Sequence, residues 1–506
     1  MSLEKFINSP WDTSHRIYKE SALAMTPAPE YASSEVILSS MSRFLGFASI
    51  KDGMVPQNGR ELEKKIHKAR DSRYKPDNSA VDADTIDLIL HSVLESPKLP
   101  NQSLKRFLQV TPIIPEFSSF SGSARLAANS WSPGALIRRM ICLGAASREN
   151  RDDIWSSLFD AISISDDDDI FARFMQHEIL QWETMPEWRL SMNDEDVKMC
   201  HEDFKVLNFP ARQFVTDLSA IISAKNLVTR RQWTSLLESL IRLAVVSHVI
   251  WLCDVHTNMW TDCIKRVLTE DFFEDTEIVR NLMYNNDFTY LTYGNRAIPR
   301  LKDYTSAYLT ARLGINLVLW GLEEIGCPVS HGLSSAKEVT QLCKIISENK
   351  QKLAKLNIMK LMPEISEREI KFLLCRKGIG QNVMEFARHV LGQRTTANPI
   401  LRGYDQGYIL NQKTKKGQWT VSLGPVAVLA LVHCSLSGMA GPRSVHRLSQ
   451  HLRSYGLLVD HREIAQNDLG HQLRMLGLVL DSPDAESGMV LITPFANKNY
   501  TQEAKG

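Results

Sequence analysis

The sequence predicts a mainly α-helical protein, with a multi-helical N-terminal and central region followed by three helices and a β-hairpin. Apolar residues recur at helical spacing as far as about residue 360, without a convincing alternation of strands and helices. Two short apolar strands around a turn-rich segment lie near the C-terminus. We expect five parts: a helical N-terminal region (1–120), a central helical domain (121–365), a basic connector (366–419), a domain of three helices and a hairpin (420–495), and a tail (496–506).

The overall composition is that of an ordinary soluble globular protein. The 506 residues are 43% hydrophobic and 23% charged, and the 59 basic and 58 acidic side chains leave a net charge of +1. Net charge therefore does not attract this protein to nucleic acid or to a membrane surface. Any such binding would depend on local patches of charge.

The cysteines and the N-terminal residues indicate a cytoplasmic protein. The eight cysteines are scattered and form no CxxC pair, which fits a reducing compartment. Residues 1–20 contain no apolar signal-peptide core, and no run of 18 apolar residues occurs. We expect a protein that is neither secreted by a standard signal nor inserted in a membrane.

The N-terminal region is predicted to contain helices joined by turn-rich segments. Residues 33–50 have the clearest helical pattern, and a turn-rich stretch at 51–59 follows. Residues 60–75 are a charged, strongly basic helical pattern, which fits either a solvated helix face or an electrostatic contact with nucleic acid. The segment 111–123, rich in proline and serine, is predicted to be a domain boundary or an exposed loop.

The central region is predicted to be built around residues 214–268, where apolar residues repeat as in a core helix. Four potential zinc ligands lie along this stretch: His248, Cys253, His256 and Cys263. On one helix they extend over about 22 Å, too far for a single tetrahedral ion. The acidic run 166–169 is predicted to stabilise the N-terminus of the next helix. A metal site there is disfavoured, because adjacent carboxylates on a helix point in different directions.

Residues 371–419 of the connector are strongly basic, with nine Lys and Arg against two acids. Aromatic residues lie among them: Phe372, Phe386, Tyr404, Tyr408 and Trp419. Positive charge could hold a nucleic-acid backbone while the rings stack on bases. The alternative is a solvated connector. On the first interpretation, the candidate phosphate contacts are Arg402, Lys413, Lys415 and Lys416.

Three helices are predicted in the C-terminal part. The first, residues 426–436, is apolar on nearly every side and should be buried. The second begins at the Gly-Pro pair 441–442, because proline suits a first helical turn, and it ends at Gly456. Asp460 followed by Glu463 is a capping-box pattern, which predicts that the third helix begins there.

The third predicted helix has one apolar face and one polar face. Its apolar residues are Ala465, Leu469, Leu473 and Leu476. The polar face carries candidates for contacts with phosphates or base edges: Arg462, Gln466, Asn467, His471 and Arg474. A β-hairpin is predicted next, from strands at 478–480 and 489–492 and a turn at 481–488.

Three helices followed by a hairpin resemble the winged helix-turn-helix family, over residues 420–495 only. The resemblance implies a DNA-binding module. However, Asp481, Asp484 and Glu486 near the hairpin tip would repel phosphates, and winged helices also dock proteins. A scaffold that grips a partner protein without touching DNA is therefore the alternative.

Segments of the C-terminal third also resemble uncharacterised bacterial proteins encoded beside anti-phage defence or DNA-processing genes. These segments are LRGYDQGYIL (401–410), SLGPVAVLALVHC (422–434), GPRSVHRLSQHL (441–452) and LRMLGLVLDSPDAESGM (473–489). The resemblance implies a DNA-recognising or scaffolding subunit of a multi-protein antiviral defence system. The ATPase, helicase or nuclease activity would then reside in a partner chain.

Motifs typical of enzymes and of cofactor binding do not occur in the sequence. It contains no P-loop, no G-x-S-x-G, no H-E-x-x-H, no G-x-G-x-x-G opening a βαβ unit and no EF-hand loop. We therefore predict no catalytic, cofactor or metal residue, and we expect a non-catalytic binding protein. A nuclease of unrecognised type is a further alternative.

Overall fold

The computed structural model describes residues 3–25, 34–55, 75–94, 112–120, 132–192, 202–270, 274–375, 379–395, 403–414, 417–438, 443–481 and 489–495. Within these ranges the protein is mainly helical, as the sequence predicts. The first helices are α1 (Leu3–Asn8), α2 (Arg16–Glu20), α3 (Ser34–Gly46), α4 (Ala83–Leu94), α5 (Pro133–Gly144), α6 (Arg148–Ile162) and α7 (Ile170–Trp182), with 3-10 turns at Asp52–Met54 and Pro115–Ser119. The helix predicted within 33–50 corresponds to α3.

The central helices surround one long apolar helix. They are α8 (Glu202–Val206), α9 (Pro210–Ser223), α10 (Arg230–Asn258), α11 (Lys265–Thr269), α12 (Thr276–Met283), α13 (Ile298–Glu324), α14 (Ala336–Glu348), α15 (Lys350–Lys355) and α16 (Ile358–Cys375), with a 3-10 turn at Lys225–Leu227 and a π-helical segment at Met259–Ile264. Helix α10 begins with a reciprocal capping box between Thr229 and Gln232. It packs along α13, and against α9 on another side.

The apolar stretch predicted at 214–268 forms this core. In the described part of the chain, Arg230–Thr269 is the helical stretch long and apolar enough to cross a membrane, and its apolar window is entirely buried inside the fold. That burial is typical of a core helix of a soluble protein. Gly314 on α13 allows close packing, because a Cβ atom there would lie 2.4 Å from the ring of Trp260.

A helix follows the acidic run 166–169, as predicted, whereas the segment 111–123 differs from its prediction. Asp169 caps α7 by accepting a hydrogen bond from the backbone N–H of Ala172 at 3.0 Å, which confirms a helix start after this run.

The prediction of an exposed loop at 111–123 is wrong for the described residues 112–120. Phe117 and Phe120 are buried in a small apolar cluster with residues of α4 and α7, so this turn is interior. The charged pattern at 60–75 lies almost entirely outside the described residues.

The C-terminal part of the chain adds four helices and most of the strands. The elements are α17 (Ile379–Leu391), β2 (Leu410–Asn411), β3 (Thr420–Val421), α18 (Pro425–Leu436), α19 (Val445–Ser454), β4 (Leu457–Leu458), α20 (Asp468–Met475), β5 (Val479–Asp481) and β6 (Met489–Leu491), and β1 (Leu291–Thr292) lies earlier in the chain. Helix α18 is buried as predicted, and it packs against α10 and α9. Gly456 follows α19 with a φ angle of +75°, which confirms the predicted end of that helix.

The third predicted helix begins eight residues later than expected, because Asp460 caps a turn. Its Oδ1 accepts the backbone N–H of Arg462 at 2.9 Å, and consecutive turns follow through residue 466. Asn467 is the cap of α20, since its Oδ1 accepts the N–H groups of Leu469 and Gly470. A Cβ atom at Gly470 would lie 1.9 Å from the carbonyl oxygen of Ile464, so the turn passes directly over α20.

The strands form three small two-stranded ladders. Strands β5 and β6 are antiparallel with Leu480 opposite Val490, close to the predicted hairpin, whose turn at 482–488 lies outside the described residues. Strands β2 and β3 are also antiparallel, whereas β1 pairs with β4 in parallel. Ser444, just before α19, forms an additional bridge to Val490 of β6.

Candidate nucleic-acid interface

Of the nine candidate nucleic-acid residues, four belong to the connector and five lie on or just before α20. Arg402, Lys415 and Lys416 lie outside the described residues. Lys413 is exposed in the turn between β2 and β3. The other five lie between residues 462 and 474, on α20 and the turns before it: Arg462, Gln466, Asn467, His471 and Arg474.

Helix α20 separates polar from apolar residues as predicted. Leu469 and Leu473 are fully buried, whereas His471 and Arg474 are exposed. Arg462 and Gln466 are also exposed, but they lie in the turns and not on a helix, which corrects the predicted continuous polar face. Asn467 is half-buried, and its amide oxygen is engaged in capping α20.

Arg474 is held by the hairpin next to its helix. Its Nη2 lies 3.1 Å from Oδ1 of Asp481 on β5, and its Nη1 donates to the carbonyl of Ala465 at 2.9 Å. The side chains of this pair are 40% and 62% exposed, so water screens their attraction. The pair partly compensates the positive charge that Arg474 could offer to a phosphate.

Three aromatic side chains of the connector pack in or against the core. Phe386 and Tyr408 are buried in the core, at 0% and 8% exposure, and Trp419 packs against this core. The prediction that such rings lie open to bases is therefore wrong for Phe386 and Tyr408. These rings complete the core beside α10 and α13, which sequence spacing did not indicate.

Two arginines of the connector are engaged by acids. Arg388 forms an ion pair with Glu385 on the same helix turn. Arg394 contacts Glu35, Glu238 and Asp405 at once. The local excess of positive charge that favoured a nucleic-acid surface is therefore smaller at the surface than the residue count suggests.

Asp405 is the centre of this buried charge cluster. Arg242 on α10 donates to both of its oxygens, at 2.7 and 3.2 Å, and Arg394 donates from Nε at 3.2 Å. Burial alone would raise the pKa of Asp405, but the two guanidinium groups hold it well below the usual range for aspartate. Burial raises the pKa of Glu238, the neighbouring carboxyl. Asp405 therefore joins the connector to the central helix as an ionised group.

A second buried carboxylate fixes α19 on the central helices. Asp217 on α9 is fully buried, and its Oδ1 accepts from the amide of Gln213 at 2.8 Å. Its Oδ2 accepts the hydroxyl of Tyr455 at 2.7 Å and lies 3.0 Å from Nε2 of His451. Tyr455 and His451 belong to α19 and its C-terminal cap, so this contact sets the position of the candidate interface on the protein.

The histidines of α10 belong to the core. His248 and His256 are buried, and burial lowers their pKa values to about 3 and about 4, so both are neutral near pH 7. Cys253 is equally buried, and its pKa is raised by burial. Among the residues that the structure describes, no group of three His, Cys, Asp or Glu side chains is placed to hold a metal ion.

Comparison of this chain with known protein families, with curated proteins and with solved structures finds no match.

Proposed function

We propose that this protein is a non-catalytic DNA-binding subunit whose C-terminal part acts as a winged helix. The observation that carries the proposal is the order of the elements. Helix α18, the Ser444 bridge, α19, α20 and the β5–β6 hairpin follow one another, and Ser444 pairs with the last strand of the hairpin. Three helices followed by a hairpin are the order on which the resemblance to the winged helix-turn-helix family rests.

The exposed side chains of this module fit contact with duplex DNA. Arg462, Gln466 and His471 are exposed near the start of α20, the end of a recognition helix that usually contacts base edges. Asn467 lies between these residues, and its amide oxygen is occupied by the N–H groups of Leu469 and Gly470. Exposed Lys413 would add a phosphate contact if its turn approaches the same duplex.

One feature departs from a simple helix-turn-helix. The connection from Tyr455 to Asn467 is much longer than the usual turn of about 3–4 residues between the two helices. Part of it forms β4, which pairs with β1 of the central region. The module is therefore attached to the central helices through this connection as well as through Asp217.

Catalysis would belong to a partner chain under this proposal. The sequence contains no phosphate-binding loop or other recognised catalytic motif, so DNA recognition would be coupled to an ATPase, helicase or nuclease in another subunit. We propose a bacterial DNA-targeting or antiviral defence system as the setting, on the resemblance of the C-terminal segments.

A second candidate function, docking of a partner protein without DNA, is favoured by two observations on α20. The side chain of Met475 is 74% exposed on the solvent face of this helix. The Arg474 guanidinium on the same face is compensated by Asp481. An apolar group beside a neutralised charge suits a protein interface better than a phosphate backbone.

Titration of labelled duplex DNA with the full chain, followed by fluorescence anisotropy at several salt concentrations, tests the first function. We expect an affinity that falls as salt rises, with a log-log slope of about 0.9 for each phosphate contacted. Absence of binding at the lowest salt concentration, with the protein folded, would favour the docking function instead.

A further inference from the structure

A cleft opens along one flank of α19 and borders the candidate DNA surface, because Asn467 lines it and Arg462 lies between two of its lining residues, His461 and Glu463. Its volume is about 540 Å³, and it is lined by residues from three distant stretches, 208–210, 285–293 and 446–467, together with Trp251. This volume is large enough for an extended side chain and part of the backbone that carries it.

The lining combines aromatic side chains with amides. Phe209, Trp251 and Phe288 line the cleft and are buried. The lining amides include exposed Asn286 and Gln450, and Gln450 contacts Nε2 of His446 at 2.9 Å. Aromatic rings together with hydrogen-bonding groups suit a flat polar group.

The lining carries two carboxylates and one arginine whose charge has a partner outside the lining. Arg453 lies 3.0 Å from Asp287, whereas Asp460 lies 3.9 Å from the ring of His461, which carries a charge only when protonated. Asp460 and Glu463 also line the cleft. Oδ1 of Asp460 accepts the backbone N–H of Arg462 at 2.9 Å, and the other carboxyl oxygen has room in its hydrogen-bonding capacity for a further donor.

The chemistry of the lining excludes some ligands and favours others. A phosphate group would meet Asp460 and Glu463 as like charges, so a nucleic-acid strand fits poorly. A guanidinium group is planar, stacks on rings and donates in pairs to carboxylates. The lining offers aromatic rings for stacking and the carboxylates of Asp460 and Glu463 as acceptors.

We propose that the cleft binds an arginine side chain of a partner protein. The guanidinium contacts Asp460 and Glu463, and its aliphatic stem packs against the apolar lining around Leu458. This site goes beyond the proposed DNA function, because its ligand is a polypeptide and its two carboxylates are not among the candidate DNA contacts. It identifies the partner by chemistry, as a polypeptide with an exposed arginine.

A pair of labelled peptides tests the proposal on the full-length protein. One is a flexible Gly-Ser peptide with two arginines, and the other carries citrulline at both positions, which keeps the shape and removes the charge. We expect the arginine peptide to bind at least about tenfold more tightly than the citrulline peptide, as measured by fluorescence anisotropy. We expect Asp460→Asn with Glu463→Gln to remove that preference.

A matched control variant removes the same number of negative charges at positions outside the cleft. Glu364→Gln with Glu367→Gln removes two exposed carboxylates from α16 and should leave peptide binding unchanged. Thermal unfolding of both double variants should equal that of the wild type, and duplex DNA binding of the cleft variant should not weaken, because the change removes negative charge beside Arg462. Equal affinity of wild type for both peptides, no binding of the arginine peptide, or equal arginine-peptide binding by the cleft variant would overturn the proposal.

Discussion

The hydroxyl of Tyr455 donates a hydrogen bond of 2.7 Å to Oδ2 of Asp217, and both side chains are fully buried. Tyr455 is the C-terminal cap of α19, whereas Asp217 lies on α9, more than two hundred residues earlier. The contact joins the candidate DNA-binding module to the central helices. The hydroxyl also gives the buried carboxyl group of Asp217 a hydrogen-bond donor, and burying that group without donors would be costly.

Replacing Tyr455 by phenylalanine should destabilise the whole protein. The change removes one donor and leaves a buried carboxylate with less compensation, which costs about 1–3 kcal/mol. Urea denaturation of the two proteins measures this difference. Tyr304→Phe is a matched control, because the Tyr304 hydroxyl donates to a neutral acceptor, the carbonyl of Thr289. A loss for Tyr455→Phe no larger than for the control would mean that the Asp217 contact contributes no special stability.

Asp405→Asn should be among the more damaging single substitutions in the connector. It breaks a buried pair with Arg242, which is fully buried and would keep its charge, so the expected loss is about 3–5 kcal/mol. Asp287→Asn provides the control, because the pair of Asp287 with Arg453 is exposed and contributes about 0–1 kcal/mol. Similar denaturation midpoints for the two variants would contradict this ranking.

The stabilisation by Asp405 should also depend on pH in a defined direction. The pKa of Asp405 in the folded protein is below its unfolded value of about 3.9, so ionisation favours the folded state above that value. The stability difference between wild type and Asp405→Asn should be constant near neutral pH and should shrink as pH falls below about 4. Denaturation at a series of pH values checks this. A stability difference between the two proteins that grows as pH falls would contradict this prediction.

Asp481→Asn should strengthen DNA binding if α20 is the DNA-contacting helix. The substitution weakens the pair that holds Arg474, so the guanidinium becomes available to a phosphate, and the salt slope should steepen by about 0.9. Asp287→Asn releases Arg453 of α19, which is not among the candidate DNA contacts, and serves as the control. Unchanged slopes in the Asp481 variant would indicate that Arg474 lies away from the DNA.

Local patterns in the sequence predicted much of the C-terminal fold. Helix α18 could be predicted to be buried, because its apolar residues leave no polar face. The end of α19 could be predicted from Gly456, whose φ angle of +75° is one that glycine adopts without strain. The hairpin strands followed from two short apolar runs around a turn-rich segment. Each of these signals acts within a few residues.

The sequence predictions failed where contacts between residues far apart in the chain determine the local structure. Asp460 and Glu463 have the spacing of a capping box, but buried Ile464 holds this segment as turns across Gly470. Gly470, in the middle of the predicted helix, was the available warning, since glycine there permits the close approach. Arg394 counted as a free positive charge in the sequence, yet it contacts Glu35, which is far away along the chain. The cleft beside α19 was missed for the same reason.

Charge reversal on α20 and the turn before it tests the central claim most directly. The variant carries Arg462→Glu, His471→Glu and Arg474→Glu at exposed positions, and thermal unfolding checks its folding, because Arg474→Glu also removes the contacts with Asp481 and the carbonyl of Ala465. The control carries Lys337→Glu, Lys344→Glu and Lys352→Glu, exposed positions on α14 and α15. We expect salt-dependent binding of duplex DNA by the wild type and the control, and a slope smaller by about two units with much weaker binding for the α20 variant. Equal binding by all three proteins at every salt concentration would contradict the assignment of this surface to DNA.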